Sequence, residues 1–396
     1  MRFKRAGLLY LLVALLLIAA ACGDSDDSNG NGGNGGGGEG SGTGEHSEFF
    51  DQAEYERQLA QRDIEPEGPE GEPWLQAIEP EMVDTSDFAT EPPWNVCFSN
   101  AAVDNPWRVV GFETMNAEVD AQTDIGEFRV VDAEANDEKQ ISDIQDLARG
   151  NCDALIVSPN TTEALTPAVE DACESVPVIV FDRGVNTDCP TTFIHPIGGY
   201  AFGADAAEFL VDNVDSGGNI LALRILPGVD VLETRWSAGK EIFDDSDLNV
   251  VGVEFTEGDA ARVKSIVSDY IQRFGTIDGV WMDAGATSVA AAEAFEDNGM
   301  EVPPVTGEDQ NDFLIKWQED GLTGLAPTYP TYQWRTAVIA ATQILSGEEV
   351  PKEWVLPQPK IDEGSLGDYV APDMPPLFYA LCGCQEMDGF PERWAD

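Results

Sequence analysis

The sequence predicts an α/β protein built from two doubly wound, parallel-sheet (Rossmann-like) lobes. From Trp94 onward, short continuous apolar runs alternate with amphipathic stretches of helical spacing, the pattern of parallel strands covered by helices on both faces. The alternation completes one unit and then repeats at similar length. About 300 of the 396 residues lie in this region, enough for two domains of ordinary size.

In the first unit a strand is expected at 95–98, a helix at 107–120 and a second strand at 127–132. A helix at 138–149 follows, with Ile141, Ile144 and Leu147 on one face. A strand at 154–157, a helix at 163–174 and a strand at 178–181 close the unit. The second unit reads as helix 203–213, strand 219–224, helix 237–243, strand 250–255, helix 260–274, strand 279–282 and helix 288–298, with 304–307 leading into another strand end. A helix over about 331–345, followed by Gly347 and Pro351, returns the chain towards its end. Strand ends of two such units would converge on one cleft, a natural place for a ligand.

The ends read differently. Arg2, Lys4 and Arg5 precede an apolar stretch from Leu8 to Ile18, and Ala19-Ala20-Ala21-Cys22 follows. Residues 1–22 thus read as a bacterial lipoprotein signal, with Cys22 becoming the lipidated N-terminus. Ala19 stands where a bulkier apolar residue is usual, and an uncleaved membrane anchor is the alternative. No other stretch is long and apolar enough to span a bilayer. Residues 23–93 are expected to be a flexible acidic, Gly-rich tether and extension. Within them, 46–93 is Pro-rich, with Trp74 and Leu75 as its main apolar points and one helix around 49–62.

Lys and Arg number 21 against 74 Asp and Glu, a formal net charge of −53. That excludes nucleic acid and electrostatic adsorption to anionic lipid, both of which need basic patches. A solvated acidic surface without a specific partner accounts for the rest. Apart from Cys22 there are six cysteines, Cys97, Cys152, Cys173, Cys189, Cys382 and Cys384, an even number consistent with export. Sequence does not choose among their pairings. Cys173–Cys189 is the preferred bridge, because a helix end and a loop flank the strand between them. Cys382-Gly-Cys384 is too short for a typical metal motif, and His46 and His195 are the only imidazoles, so neither a structural zinc nor another metal is expected.

No Gly-x-Ser-x-Gly elbow, phosphate-binding loop or His-Glu-x-x-His motif occurs. Two carboxylates would suffice for a glycosidase, but no spacing singles them out. What recurs is a polar or aromatic group at each strand exit. Ser99 and Asn100 follow the first strand, then Asn105-Pro106-Trp107-Arg108. Ser158-Pro159 follows the third, and Asp182-Arg183 closes the run ending at Phe181. The second unit gives Arg235, Asp283 and Glu308-Asp309-Gln310-Asn311. Taken singly, each has a plainer reading. Asp182 and Arg183 could be a surface ion pair, Trp107 a helix-start packing residue, Asp283 an N-cap, Arg235 a surface charge and Trp236 a packing residue. Their shared location favours a site, where acids and guanidiniums grip hydroxyls and an indole stacks on a sugar ring.

These residues carry a resemblance. Phe98-Ser99 through Pro106-Trp107-Arg108, Ile144-Gln145-Asp146-Leu147 through Asp153-Ala154-Leu155-Ile156-Val157-Ser158-Pro159, and Pro177 to Arg183 occur in order. Thr306-Gly307-Glu308-Asp309 and Gly347-Glu348-Glu349-Val350-Pro351 follow. Over roughly 94–351 the chain resembles the ribose- and galactofuranose-type sugar-binding proteins of ABC transporters, with the type I periplasmic-binding fold. The resemblance implies a three-strand hinge. The N-terminal lobe would then be 94–198 plus about 330–356, and the C-terminal lobe 199–329 plus about 357–396.

It further implies ligand contacts at Trp107, Arg108, Ser158, Asp182, Arg183, Arg235 and Asp309. Ser99, Asn100 and Asp283 join them by position, Asp283 lying one place before Ala284, where the family often has asparagine. The loop 195–199 lacks the family's usual Asp-Asn. The implied function is capture of a monosaccharide (pentose, hexose or furanose) in an interlobe cleft and delivery to an ABC transporter permease. The protein would be a lipid-anchored monomer on the extracytoplasmic face, without cofactor or enzymatic activity. The alternatives are a sugar-sensing module read by a chemoreceptor or sensor kinase and, less favoured, a carbohydrate-active enzyme.

Overall fold

Short apolar runs set the architecture. The structure, a computed structural model, describes residues 49–395. The signal-like segment 1–22 with Cys22 and the Gly-rich stretch after it lie outside the described residues. The extension carries α1 (Gln52–Gln61) and β1 (Met82–Val83). The first unit follows as β2 (Trp94–Asn100), α2 (Pro106–Ala121), β3 (Ile125–Asp132), α3 (Asp137–Ala148), β4 (Ala154–Val157), α4 (Thr162–Cys173), β5 (Val178–Phe181) and β6 (Thr192–Pro196). The second is α5 (Gly199–Asn213), β7 (Asn219–Arg224), α6 (Asp230–Asp244), β8 (Asn249–Phe255), α7 (Ala260–Phe274), β9 (Gly279–Met282), α8 (Gly285–Asp297), β10 (Val305–Thr306), α9 (Asn311–Asp320) and β11 (Gly324–Pro327). The chain returns through α10 (Gln333–Ser346), β12 (Val350–Pro351), β13 (Glu353–Leu356), β14 (Lys360–Ile361) and α11 (Leu366–Tyr369).

Two six-stranded sheets result, in the orders β3-β2-β4-β5-β6-β13 and β8-β7-β9-β10-β11-β14. Every pairing in them is parallel except β14 on β11. Each sheet is buried on both faces because its central strands are apolar at every position. In the first lobe Val96, Phe98, Ile156, Ile179 and Phe181 face α2 and α10, packing with Met115 and Trp334. Cys97, Leu155, Val157, Val178 and Val180 face Ile144, Leu147, Leu165 and Val169 of α3 and α4. The second lobe repeats the scheme, with Leu221, Leu223, Val280 and Met282 towards α7–α9 and Ile220, Ala222 and Trp281 towards α5 and α6.

Local chemistry starts the helices where the site needs them. Asn105 caps α2 by accepting from the Arg108 N–H at 3.0 Å, and Pro106 takes the first helical position, where its missing N–H and fixed φ suit a helix start. α2 then lies so close to Trp334 that a Cβ on Gly111 would sit 2.3 Å from the indole.

The chain passes between the lobes three times, at 196–199, 327–333 and 356–360, and the passages are bonded to one another. Gln358 accepts from the Gly198 N–H at 2.7 Å and donates to its carbonyl at 3.2 Å. Gly198 has φ +138, and a Cβ there would meet Gln58 at 2.5 Å. The Thr328 hydroxyl donates to the Pro359 carbonyl, and the Tyr332 hydroxyl to that of Pro357.

Several expectations are corrected. Strands β6, β11 and β13 escaped the sequence reading: β6 and β11 end in proline, and β6 also carries His195. Helix α5 begins at Gly199, not 203. The extension is more than a loose leader: Trp74, Ala77 and Ile78 are buried, and α1 packs on α5. The tail does not stay on the second lobe. β14 joins that sheet, but Trp394 and Phe378 pack with Val110 and Ala117 of α2 in the first.

The cysteines pair as Cys97–Cys152, Cys173–Cys189 and Cys382–Cys384. The first closes a loop of 55 residues from β2 to the turn just before β4. Cys97→Ala with Cys152→Ala should lower the unfolding free energy by about 2–4 kcal/mol, the loop-closure expectation. Denaturant titration without reductant checks this, and an unchanged midpoint would contradict it.

Candidate functional site

On the first lobe, β5 ends at Phe181 and the backbone turns at Asp182, whose φ of +69 lies in the left-handed region. For a residue with a Cβ that conformation costs about 1–3 kcal/mol. The Asp182 N–H is fixed to the Ile194 carbonyl at 3.1 Å. Its Oδ2 accepts from Arg108 Nη2 at 2.9 Å, and Arg108 Nη1 reaches Ser158 Oγ at 3.3 Å. Arg108 is only 3 % exposed. Burial lowers its pKa, with the Asp182 carboxylate as the largest opposing influence. Arg183 is half-buried, donates to the Asn160 carbonyl and leaves Nε without a partner.

On the second lobe Arg235 is not the surface charge that its position on a helix suggests. It is 3 % exposed. Nη1 donates to the Asp283 carbonyl at 2.8 Å and Nη2 to Glu308 Oε1 at 3.1 Å, while the guanidinium lies 3.8 Å from the Phe202 ring centroid. Glu308 Oε2 accepts from the Tyr379 hydroxyl at 3.0 Å. Asp283 is not the cap of α8; Ala284 holds that place, and Asp283 Oδ1 accepts from the Ile225 N–H at 3.0 Å. Asp309 Oδ2 accepts from the Leu381 N–H at 2.8 Å. Burial pushes both aspartates up to about 7, and Glu308 adds to the effect on each.

Tyr329, on the middle passage between lobes, joins the two halves. Its hydroxyl lies 3.3 Å from Asp182 Oδ1, its ring 5.2 Å from the Arg235 guanidinium, and its carbonyl accepts from Trp107 Nε1 at 2.7 Å. Arg108, Asp182, Tyr329, Arg235, Glu308 and Tyr379 therefore form one buried polar seam from lobe to lobe. At its edge Thr162 Oγ1 donates to Asp230 Oδ2 at 3.3 Å, first lobe to second. A cavity of about 250 Å³ opens there, lined in part by Asp182, Arg183, Thr234 and Tyr329. A larger one of about 560 Å³ lies between extension and tail, walled by Trp74, Tyr369 and Phe390 rather than by strand ends.

Of the sequence candidates, Trp107, Arg108, Ser158, Asp182, Arg183, Arg235, Asp283 and Asp309 gather in or around this seam. Trp107 does so as a wall, packed on Tyr329 and Trp334 at 5.6 and 5.7 Å. Ser99 and Asn100 do not join it. They are the last residues of β2, engaged by Gln140 and by Asp132 with the Ala102 carbonyl. Tyr329, Phe202, Tyr379 and the role of Glu308 escaped the sequence reading. For Tyr329 the available signal was the Pro327-Thr-Tyr-Pro-Thr-Tyr run after a short apolar stretch, which marks a strand end.

Arg183 Nε, Arg235 Nε, Asp283 Oδ2 and Asp309 Oδ1 are buried without protein partners. Each such group costs about 1–3 kcal/mol until satisfied. Interleaved donors and acceptors of this kind suit vicinal hydroxyls, which both donate and accept.

A family model described as a periplasmic binding protein domain matches residues 96–349. The chain is 27% identical over 224 residues to the ribose import binding protein of Bacillus subtilis, covering 56% of this chain and 73% of that one. It is similar to an ABC transporter solute binding protein from Thermobispora bispora, with a TM-score of 0.63 and 25% identity over 72% of this chain and 90% of that one. It also shares its fold with the fructose binding periplasmic domain of a hybrid two component system, at a TM-score of 0.60 and 21% identity over 69% and 92% of the two chains.

A pH dependence follows from Asp283. Its folded carboxyl holds a proton up to about pH 7, whereas an unfolded aspartate releases it near about pH 3.9. Between these values the folded state binds more protons, so this group lowers stability as pH rises. Asp283→Asn should flatten the decline of melting temperature between about pH 4 and pH 7; a slope equal to wild type would contradict the assignment.

Proposed function

The chain belongs to the periplasmic binding protein domain family, and from that premise we propose that it is a solute-binding protein that closes its two lobes on a monosaccharide. The family is one of binding proteins rather than enzymes, and it acts outside the cytoplasm. The observation that carries the sugar reading is the buried seam between the lobes. In and around it lie three guanidiniums (Arg108, Arg183, Arg235) and four carboxylates (Asp182, Asp283, Glu308, Asp309), several with one atom unpartnered. A neutral ligand rich in hydroxyls satisfies such atoms without adding net charge to a desolvated site. The likeness to a ribose import binding protein supports the same class.

On this reading Asp182, Arg183 and Arg108 grip the guest from the first lobe, and Arg235, Asp283 and Asp309 from the second. Contacts to both lobes favour the shut form, because a ligand shifts the equilibrium towards the state that it binds better. The shut form delivers the sugar to an ABC transporter permease, with Cys22 as the lipid anchor at the membrane. A sensing role is the second reading, favoured by the similarity to a periplasmic domain of a two component system.

A thermal-shift screen over pentoses, hexoses, furanoses and inositols tests the ligand class, since a ligand at about a hundred times its Kd stabilises by roughly 2.7 kcal/mol. No shift with any of them would contradict it. In calorimetry Asp182→Ala and Arg183→Ala should each weaken the best ligand at least tenfold, about 1.4 kcal/mol, with Arg183→Ala leaving the Arg108–Asp182 pair in place. Unchanged affinity in both would remove the pair from the site.

A further inference from the structure

The family match ends at residue 349, yet the described chain continues to residue 395. Part of that tail runs through the heart of the second-lobe loop. Gln310 and Tyr379 form an antiparallel bridge. The Asn311 N–H donates to the Phe378 carbonyl at 2.8 Å, and the Ala380 N–H to the Asp309 carbonyl at 3.0 Å. Residues 378–381 are therefore laid along 309–311 much as an added strand would be.

This backbone pairing sets Tyr379 beside Glu308 with its hydroxyl on Oε2, while Glu308 Oε1 takes Arg235. One carboxylate thus has each oxygen assigned. Burial and the neighbouring acids keep the phenol protonated, its pKa well above the ordinary value, so it acts as a donor. Beyond Tyr379 the tail is fastened to the first lobe. The Tyr332 N–H donates to the Leu381 carbonyl at 3.2 Å, Arg335 donates to the Gly383 carbonyl, and Trp394 Nε1 reaches Thr114 Oγ1 at 3.2 Å. The Cys382–Cys384 ring encloses the Gly383 anchor.

We propose that Tyr379, held in place by a C-terminal strap anchored to both lobes, determines ligand specificity by occupying one oxygen of Glu308 and so aiming Arg235. The proposal rests on the sugar-binding reading and adds a residue outside the family match to its site. With the phenol present, Glu308 spends both oxygens on the protein, and the guest meets Arg235 in a fixed orientation. Without the hydroxyl, Glu308 Oε2 is a buried acceptor seeking a donor, and a sugar hydroxyl at that position becomes an added contact.

Tyr379→Phe keeps the ring and its packing, so the readout is a change of selectivity rather than loss of fold. Calorimetry on the full chain would compare the tightest sugar from the screen with its monodeoxy analogues and epimers, for wild type and variant. The expected result is a change of at least tenfold in the affinity ratio at one hydroxyl position, with the others within about threefold. Should Tyr379→Phe melt below the assay temperature, Glu308→Gln, which alters the same carboxylate and leaves the phenol, should change the ratio at that same position. Wild-type binding with ratios unchanged to within twofold in the folded variant overturns this inference and leaves the sugar reading standing. Absence of binding by wild type to any sugar overturns both.

Discussion

Two guanidiniums buried between the lobes, Arg108 and Arg235, constrain everything around them. A charge taken out of water is tolerated only with a carboxylate and further hydrogen bonds in place. Arg108 has Asp182 and Ser158, and Arg235 has Glu308 and the Asp283 carbonyl. Each pair lies within its own lobe, so each half carries its own compensated charge. Tyr329, supplied by a connecting passage, touches Asp182 and faces Arg235. The two halves of the seam are thereby held in contact through a residue that belongs to the connection itself. Ion pairs of this kind contribute little net stability, but they fix the orientation of the side chains that the proposed guest would meet.

Much of the fold was legible because parallel strands buried on both faces read as unbroken apolar runs. Ala154–Val157, Val178–Phe181 and Gly279–Met282 are each buried at all four positions. What hid the remaining strands was chemistry at their ends. Thr192–Pro196 carries His195 and ends in proline, and Gly324–Pro327 begins with glycine and ends in proline, so neither has the unbroken apolar composition that marks the strands above. The site was legible where it follows strand exits, as at Asp182. It was illegible where a residue arrives from a distant segment, as Tyr379 does from the tail and Tyr329 from a passage between lobes. Nor does sequence convey that Arg235 is buried; helix position alone describes a surface charge.

The two segments outside the family match brace the lobes on either flank. On one, Arg57 of α1 pairs with Glu353 of the first-lobe sheet at 3.1 Å, and Arg62, just beyond that helix, pairs with Asp205 of the second lobe at 2.7 Å. His195 also lies 2.9 Å from Glu353, and hydrogen bonding to it, ahead of Arg57, holds that carboxyl down at about 2. On the other flank the tail pairs with the Asp309 loop and packs on α2. On the proposed sugar-binding reading, a cleft that admits a guest would open only if these braces yield or move with one lobe, so hinge motion would involve the whole chain and not its three passages alone.

The most direct measurement is a crystal structure of the protein with the tightest sugar from the ligand screen. The account predicts one guest enclosed between the lobes, hydrogen-bonded at once to Asp182 or Arg183 from the first and to Arg235 from the second. A guest seated on one lobe only, or in the cavity between extension and tail, would contradict it.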